Sequence, residues 1–253
     1  MVNKRRLLTV MAATIFTALE CTLFYMIHFL NADPLYKLRF GCIIAATTFA
    51  WLTLAIKLIT AKKENEKLSK IIFNASDGNL IRIAMIFTLV ADYFMVAISE
   101  ADNMTGITVF TGTQFFIFLH IFVNDKNAKS RIANVIIRIT LSIALVLAVK
   151  YILGDSSDMM AIISVIYYAN LCTNAIFAHR IGRGGIMLTI GLILFALCDI
   201  NVGLSGLESI YEGGFPEGSL LYMIMNANVD LIWIFYIPSQ TLIPLTLTVS
   251  KRK

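Results

Sequence analysis

Residues 141–153 read LSIALVLAVKYIL and form the centre of an apolar run over 132–152. A run of about 20 apolar residues is long enough to cross the hydrocarbon core of a bilayer as a helix. It shows none of the alternation of polar and apolar residues that a transmembrane β-strand requires. The stretch therefore predicts a membrane-spanning helix.

The composition extends this prediction to the whole chain. Its 253 residues are 58% apolar and 15% charged, with a mean hydropathy of +0.78, whereas soluble domains are about 45–50% apolar and about 25% charged. These values exclude a soluble enzyme, a disordered chain and a collagen. Four cysteines lie in apolar runs without CxxC spacing, so they predict neither a disulfide scaffold nor a zinc site.

Eight apolar runs predict an all-α polytopic membrane bundle, with 1–253 as a single integral membrane domain. The predicted spans lie near 7–30, 40–60, 79–99, 105–123, 132–152, 159–179, 184–206 and 219–247. We expect the first span to be retained, because its apolar stretch continues to Leu30 without a small-x-small cleavage site.

Lysine and arginine are concentrated in alternate loops. They occur in the N-terminal tail, in the second, fourth and sixth loops and at the C-terminus, whereas the opposite loops hold only Lys37 and Arg39. Cytoplasmic loops are enriched in basic residues, so we expect a multi-pass protein of the cell (inner) membrane with both termini cytoplasmic. The net charge of +5 then reflects orientation, and nucleic acid is not an expected partner.

Four acidic residues fall inside the predicted spans, where each costs about 2.5–3.5 kcal/mol at the bilayer centre. They are Glu20, Asp92, Asp199 and Asp230. The last three are predicted at one depth, in a polar cavity. Further polar residues are expected near that cavity: Tyr93, Gln114, Asn201, Tyr236 and Gln240. A purely structural role, in which each acid bonds a neighbouring helix, remains an alternative.

The strings FTLVAD at 87–92 and LFALCD at 194–199 are similar. They suggest a weak four-plus-four repeat in which both halves run in the same direction across the membrane. Such a repeat would bring Asp92 and Asp199 together across a pseudo-two-fold axis. Two close carboxylates in a low-dielectric site force one of them to keep its proton, which predicts an acid and a base.

Other chemistries have no motif in this sequence. His28 is expected near one membrane face, with His120 and His179 near the other, so they do not predict a shared metal. The chain has no GxSxG elbow, P-loop or HExxH motif. We therefore expect no metal and no cofactor.

Short motifs resemble those of the YhhN family of eight-helix membrane proteins. The third span carries Phe87, Thr88, Ala91 and Asp92; the seventh carries Gly191, Phe195, Cys198 and Asp199; the eighth carries Tyr236, Gln240, Leu242 and Ile243. Phe110 precedes Gln114 by four residues, and Lys37 corresponds to a lysine at the start of the second helix. Gln114 replaces a common histidine, Cys198 replaces a serine, and a proline after the lysine is absent.

The resemblance implies a lysoplasmalogenase, which hydrolyses the vinyl ether bond of a lysophospholipid to a fatty aldehyde and a glycerophospho-headgroup alcohol. Asp92 and Asp199 would be catalytic. The residues implied in substrate binding are Gln114, Tyr236, Gln240, Lys37, Asp230 and Asn201. Lysophospholipid and membrane lipids are then the expected partners.

Two alternatives stay open. Intramembrane acids in a pseudo-repeat are also typical of proton-linked transporters, and a lipid-binding protein would have a similar carboxylate-lined cavity. The second is a structural membrane protein whose polar residues only determine helix pairing.

Overall fold

The computed structural model describes residues 2–30, 35–62, 78–98, 102–154, 157–182, 184–208, 216, 218–225 and 230–249. Its α-helices are α1 (Val2–His28), α2 (Leu35–Lys62), α3 (Asn79–Asp92), α4 (Asn103–Asn124), α5 (Ala128–Leu153), α6 (Met159–Ala178), α7 (Gly185–Glu208), α8 (Leu220–Met225) and α9 (Leu231–Leu245). A π-helix follows α3 at Tyr93–Ala97, and short 3₁₀ turns follow α6 and α9.

The prediction of an all-α polytopic bundle is confirmed. In the part of the chain that the structure describes, eight helices are long and apolar enough to cross a membrane. They are α1 to α7 and α9, with the π-helix and the 3₁₀ turns continuing three of them. Several of the basic residues that predict the orientation, among them Lys63, Lys67 and Lys70, lie outside the described residues.

The last span differs from its predicted range of 219–247. It begins only at Leu231, after a separate short helix, α8. Asp230 is the N-cap of α9, because its carboxylate accepts a hydrogen bond from the Trp233 amide at 3.4 Å. This acid therefore lies at the start of a helix, where a carboxylate is favoured, and not within a continuous span.

Helix neighbours in the first half of the chain recur in the second half. The helices α1, α2, α3 and α4 pack each against the next, and α5, α6, α7 and α9 do the same. Between the halves, α2 packs against α9 and α4 packs against α6, which correspond when the halves are exchanged. A four-plus-four repeat predicts this pattern, although the repeat itself stays a prediction.

The helices α1 and α5 lie at the edges of the bundle. Much of α5 is exposed apolar surface, including Ile132, Ile136, Ile143 and Leu147, and α1 exposes a similar apolar face. In a bilayer such surfaces contact lipid tails and need no protein partner. The other spanning helices therefore enclose the core.

The far end of the bundle is the end at which α1 finishes and α2 begins. Just outside the spans at this end, Asp102 caps α4 by accepting hydrogen bonds from the amide and hydroxyl of Thr105, at 2.9 and 2.6 Å. These bonds lower the pKa of the Asp102 carboxyl. Asp158 caps α6 in the same way, at 2.7 Å from the Ala161 amide.

Glycine allows a close approach of backbones where α6 ends and α7 begins. A Cβ atom on Gly185 would lie 2.7 Å from the Ala178 carbonyl oxygen and 3.0 Å from that of His179. Both obstacles are backbone atoms, which cannot rotate away. Only glycine fits this position without moving the helix end.

Gly185→Ala is therefore expected to destabilise the protein by about 1–3 kcal/mol, a typical cost of overpacking. Gly203→Ala on the same helix is the matched control, because its new Cβ would have no neighbour within 4 Å among the described residues. Alanine in a helix interior is also more stable than glycine by about 0.5–1 kcal/mol. Thermal unfolding of both variants in detergent tests this. Equal unfolding midpoints for the two variants would show that the junction of α6 and α7 accommodates the added Cβ without loss of stability.

Candidate functional site

Asp92 is the last residue of α3 and lies on its buried face. That face contains Ile81, Met85, Thr88 and Ala91, at the spacing of three or four residues by which a helix presents one side to a core. The next turn is the π-helix, in which the Ile98 amide donates to the Tyr93 carbonyl at 3.2 Å. Such wide turns occur frequently at functional sites.

The Asp92 carboxylate is buried, with 3% of its surface exposed, and accepts a hydrogen bond from the Tyr236 hydroxyl at 2.5 Å. Tyr236 lies on α9, so the bond joins the third and the eighth spans. A buried carboxylate is costly unless a donor satisfies it. Tyr236 supplies that donor.

Asp199 on α7 has a matching arrangement. It accepts a hydrogen bond from the Tyr167 hydroxyl of α6 at 2.6 Å. Asp199 is half-buried, whereas Asp92 is fully buried. Tyr167 was not among the predicted site residues. Tyr93 was predicted near the site, but it is 49% exposed and packs against the rings of Phe40 and Phe94.

The two tyrosine–aspartate pairs lie close together. The charge of Asp199 reaches Asp92, and packed aromatic rings join the tyrosines that bond to the two aspartates. Cys198 interacts electrostatically with both of them and with Asp230. That Asp92, Asp199 and Asp230 share one depth stays a prediction, since Asp230 lies at the start of α9 in an ion pair with Arg39.

An aromatic bridge connects the two pairs. Phe195 packs edge-on against Tyr236, with ring centroids 5.4 Å apart, and against Phe110 at 5.6 Å. Phe110 in turn contacts the ring of Tyr167 at 5.9 Å. The bridge packs Tyr236 and Tyr167 into one row of aromatic rings.

Other predicted site residues lie elsewhere. Asn201 donates to the Leu197 carbonyl of its own helix, and Lys37 is exposed beside Tyr36. Gln240 is buried one turn below Tyr236 and contacts Ser239, with Nε2 to Oγ at 3.4 Å. Asp230 forms an ion pair with Arg39.

Gln114 belongs to a second polar cluster, between α4, α5 and α6. Its side-chain oxygen accepts from Asn174 Nδ2 at 3.0 Å. The Asn174 oxygen accepts from Arg138, whose guanidinium also donates to Asn134 and Asn170 and stacks 4.3 Å above the Phe118 ring. An arginine inside a membrane bundle is thus held by neutral amides, an arrangement that the sequence analysis missed.

Glu20, the fourth predicted intramembrane acid, lies apart from these clusters. It is 2% exposed between α1 and α2, next to the Cys42 thiol. Neither of its carboxyl oxygens has a hydrogen-bond partner of normal geometry among the described residues.

In the described part of the chain, neither the surface grooves nor the positions of possible metal ligands indicate a further functional site. Its two most pronounced grooves lie away from the aspartates; the larger, about 480 Å³, lies between α2 and α3 and is lined by Ile44, Trp51 and Leu89 among others. No group of three His, Cys, Asp or Glu residues there has the geometry to hold a metal ion.

Comparison with known proteins does not assign the chain to a family. No family model matches it, and no curated protein and no solved structure shows a significant match. The resemblance to the YhhN family therefore stays a prediction that rests on the quoted motifs.

Arg138→Leu is expected to destabilise the bundle by about 1–3 kcal/mol, because it leaves buried amide oxygens of Asn134, Asn170 and Asn174 without their donor. Lys150→Leu is the matched control, since Lys150 is an exposed basic residue of the same helix. Thermal unfolding in detergent measures the difference. If Arg138→Leu were as stable as wild type, the cost of burying the cation would cancel the value of its hydrogen bonds.

Proposed function

We propose that this protein is a membrane hydrolase of the lysoplasmalogenase type. It cleaves the vinyl ether bond of a lysoplasmalogen and yields a fatty aldehyde and a glycerophospho-headgroup alcohol. The observation that supports this proposal is the pair of aspartates, Asp92 and Asp199, each bonded by a tyrosine hydroxyl and within electrostatic range of each other. The YhhN-like motifs contain the same two aspartates.

The reaction requires a proton donor and a stabilised cation. A vinyl ether is hydrolysed by protonation of its outer vinyl carbon, which forms an oxocarbenium ion. The protonated member of the pair gives this proton, and the ionised member stabilises the cation and then takes a proton from the attacking water. The resulting hemiacetal breaks its bond to the glycerol oxygen, which leaves as the alcohol. The roles belong to the coupled pair and not to one assigned residue.

The tyrosines orient the carboxyl groups for this chemistry. Both hydroxyls bond to Oδ2, so Oδ1 of each aspartate is left for substrate or water. The rings of Phe195 and Tyr236 are buried against each other, and Tyr236 bonds to Asp92, so an aromatic group that suits a developing cation lies beside this carboxyl. Paired carboxylates act through a similar oxocarbenium-like state in glycoside hydrolysis.

We further propose that the protein lies in the cell (inner) membrane with both termini in the cytoplasm. The asymmetry of lysine and arginine between alternate loops supports this orientation. This orientation would place the far end of the bundle on the outer side of the membrane. The aspartate pair lies closer to that end than to the opposite end.

Single cysteines test this orientation in a background without the four native ones. In intact cells, an impermeant thiol reagent is expected to label Asn103→Cys, which is exposed at the far end, and to leave Lys4→Cys unlabelled. Permeabilised cells should label both and serve as the control. The reverse pattern would invert the topology, and labelling of both in intact cells would contradict a single orientation.

Purified protein is expected to release fatty aldehyde from lysoplasmalogen without added metal, cofactor or nucleotide. Asp92→Asn and Asp199→Asn should each lower the rate about 10²–10⁴-fold, because asparagine retains the shape and loses both the acid and the charge. Aldehyde release in detergent is the measurement.

Asp102→Asn is the matched control for these variants. It makes the same substitution at an exposed aspartate of the far end, and asparagine is also a good helix N-cap. Its rate should equal wild type. Undiminished release by both single-site variants would make the aspartates structural. Proton-dependent solute uptake into proteoliposomes without any aldehyde release would favour the carrier alternative.

A further inference from the structure

A third polar cluster, distinct from the aspartate pair and from the Arg138 cluster, lies at the far end. It contains His28 at the end of α1, Arg39 near the start of α2, and Asp230 with Trp233 at the start of α9. Arg39 forms an ion pair with Asp230 and stacks 5.0 Å from the Trp233 ring. Three helix ends therefore meet around one guanidinium.

Two side-chain nitrogen atoms of this cluster are buried without a hydrogen-bond partner of normal geometry in the described part of the chain. Arg39 Nε and His28 Nε2 have no hydrogen-bond partner among the described residues, although both atoms are shielded from solvent. The His28 ring interacts with Asp230, with Arg39 and with the Trp233 backbone, so it is held against the same group. A buried donor without an acceptor is costly, which points to a bound acceptor.

The chemistry of these donors favours a phosphate ester. Arginine binds phosphate through several N–H groups in a planar fork, and only one edge of Arg39 is taken by Asp230. That ion pair also neutralises Asp230, so this carboxylate does not exclude an anion. The sequence offers Lys37 and Arg39 as basic residues that could bind the headgroup, and of the two only Arg39 lies in this cluster, since Lys37 is exposed beside Tyr36.

The spacing along α9 matches the spacing within a lysophospholipid. From Asp230 to Tyr236 the helix rises about 9 Å, at about 1.5 Å per residue. In a lysoplasmalogen, about seven covalent bonds separate the phosphorus from the outer vinyl carbon, or about 8 Å when extended. Trp233 lies between, with its ring 5.3 Å from that of Tyr236.

We propose that Arg39 and His28 bind the phosphodiester of a lysophospholipid, which places its ether chain beside Asp92 and Tyr236. The site then selects phosphate-bearing ether lipids over neutral ones. This inference rests on the proposed function, since it names the substrate group that the same site recognises.

Binding of uncleavable lipids tests the proposal without any need for turnover. The probes are 1-alkyl-lysophosphatidylethanolamine, whose ether is saturated, and 1-alkylglycerol, which has the same chain and no phosphate. Wild type is expected to bind the first more tightly. The variant Arg39→Gln with Asp230→Asn keeps a neutral side-chain pair, and it should lose about tenfold or more of that affinity while binding 1-alkylglycerol unchanged.

Two further variants sharpen the test. His28→Phe keeps an aromatic ring against Phe24, 4.5 Å away, and removes the donor, so it should weaken binding of the phosphate probe alone. Lys150→Gln, at an exposed lysine near the end of α5, is the control and should bind both probes as wild type does. Equal affinity of wild type and the Arg39 variant for the phosphate probe would overturn the proposal. Competition by inorganic phosphate as strong as by glycerophosphoethanolamine would overturn the assignment to a lipid.

Failure of this inference and failure of the proposed function give different results. If wild type releases aldehyde and the variants bind the phosphate probe normally, the hydrolase stands and the phosphate site is wrong. If wild type prefers the phosphate probe through Arg39 and His28 and releases no aldehyde, the phosphate site stands and the hydrolase is wrong.

Discussion

A polar group inside a bilayer must find its partner within the protein, because lipid tails offer none. The Tyr236–Asp92 hydrogen bond is the clearest result of this constraint, since it satisfies a buried carboxylate and ties α9 to α3. The position of α9 in turn sets much of the far end. Its N-cap, Asp230, reaches Arg39 on α2, and its prolines lie in the part that packs against α7.

The polar residues of the bundle form layers with different chemistry. In one layer, Asp92 and Asp199 each accept one hydrogen bond from a tyrosine hydroxyl. In the next layer, amides around Arg138 bond mainly to one another and to the guanidinium. Under the proposed function the first layer would react with a ligand, whereas the second holds α4, α5 and α6 together.

Physical constraints explain what the sequence predicts and what it misses. Because a spanning helix needs a long apolar run to match the bilayer thickness, the spanning helices can be recognised in the sequence. Because an acid inside a span is costly, Asp92 and Asp199 stand out as candidate site residues. The start of α9 had a readable signal, because Asn226, Asn228 and Asp230 interrupt the apolar run before Leu231 and aspartate is a preferred N-cap. Tyr167 is an ordinary residue for a span, and its role depends on packing between α6 and α7. Arg138 had a readable signal, because Asn134 and Arg138, like Asn170 and Asn174, are four residues apart and share a helix face.

The π-helix at Tyr93–Ala97 makes the number of residues in this turn a constraint on the structure. One extra residue in the turn rotates everything beyond it by about 100° about the helix axis relative to a regular α-helix. Deleting a single residue there would either turn Asp92 away from Tyr236 or swing the connection to α4 round to another side of the bundle. The geometry of the turn therefore constrains the number of residues in Tyr93–Ala97.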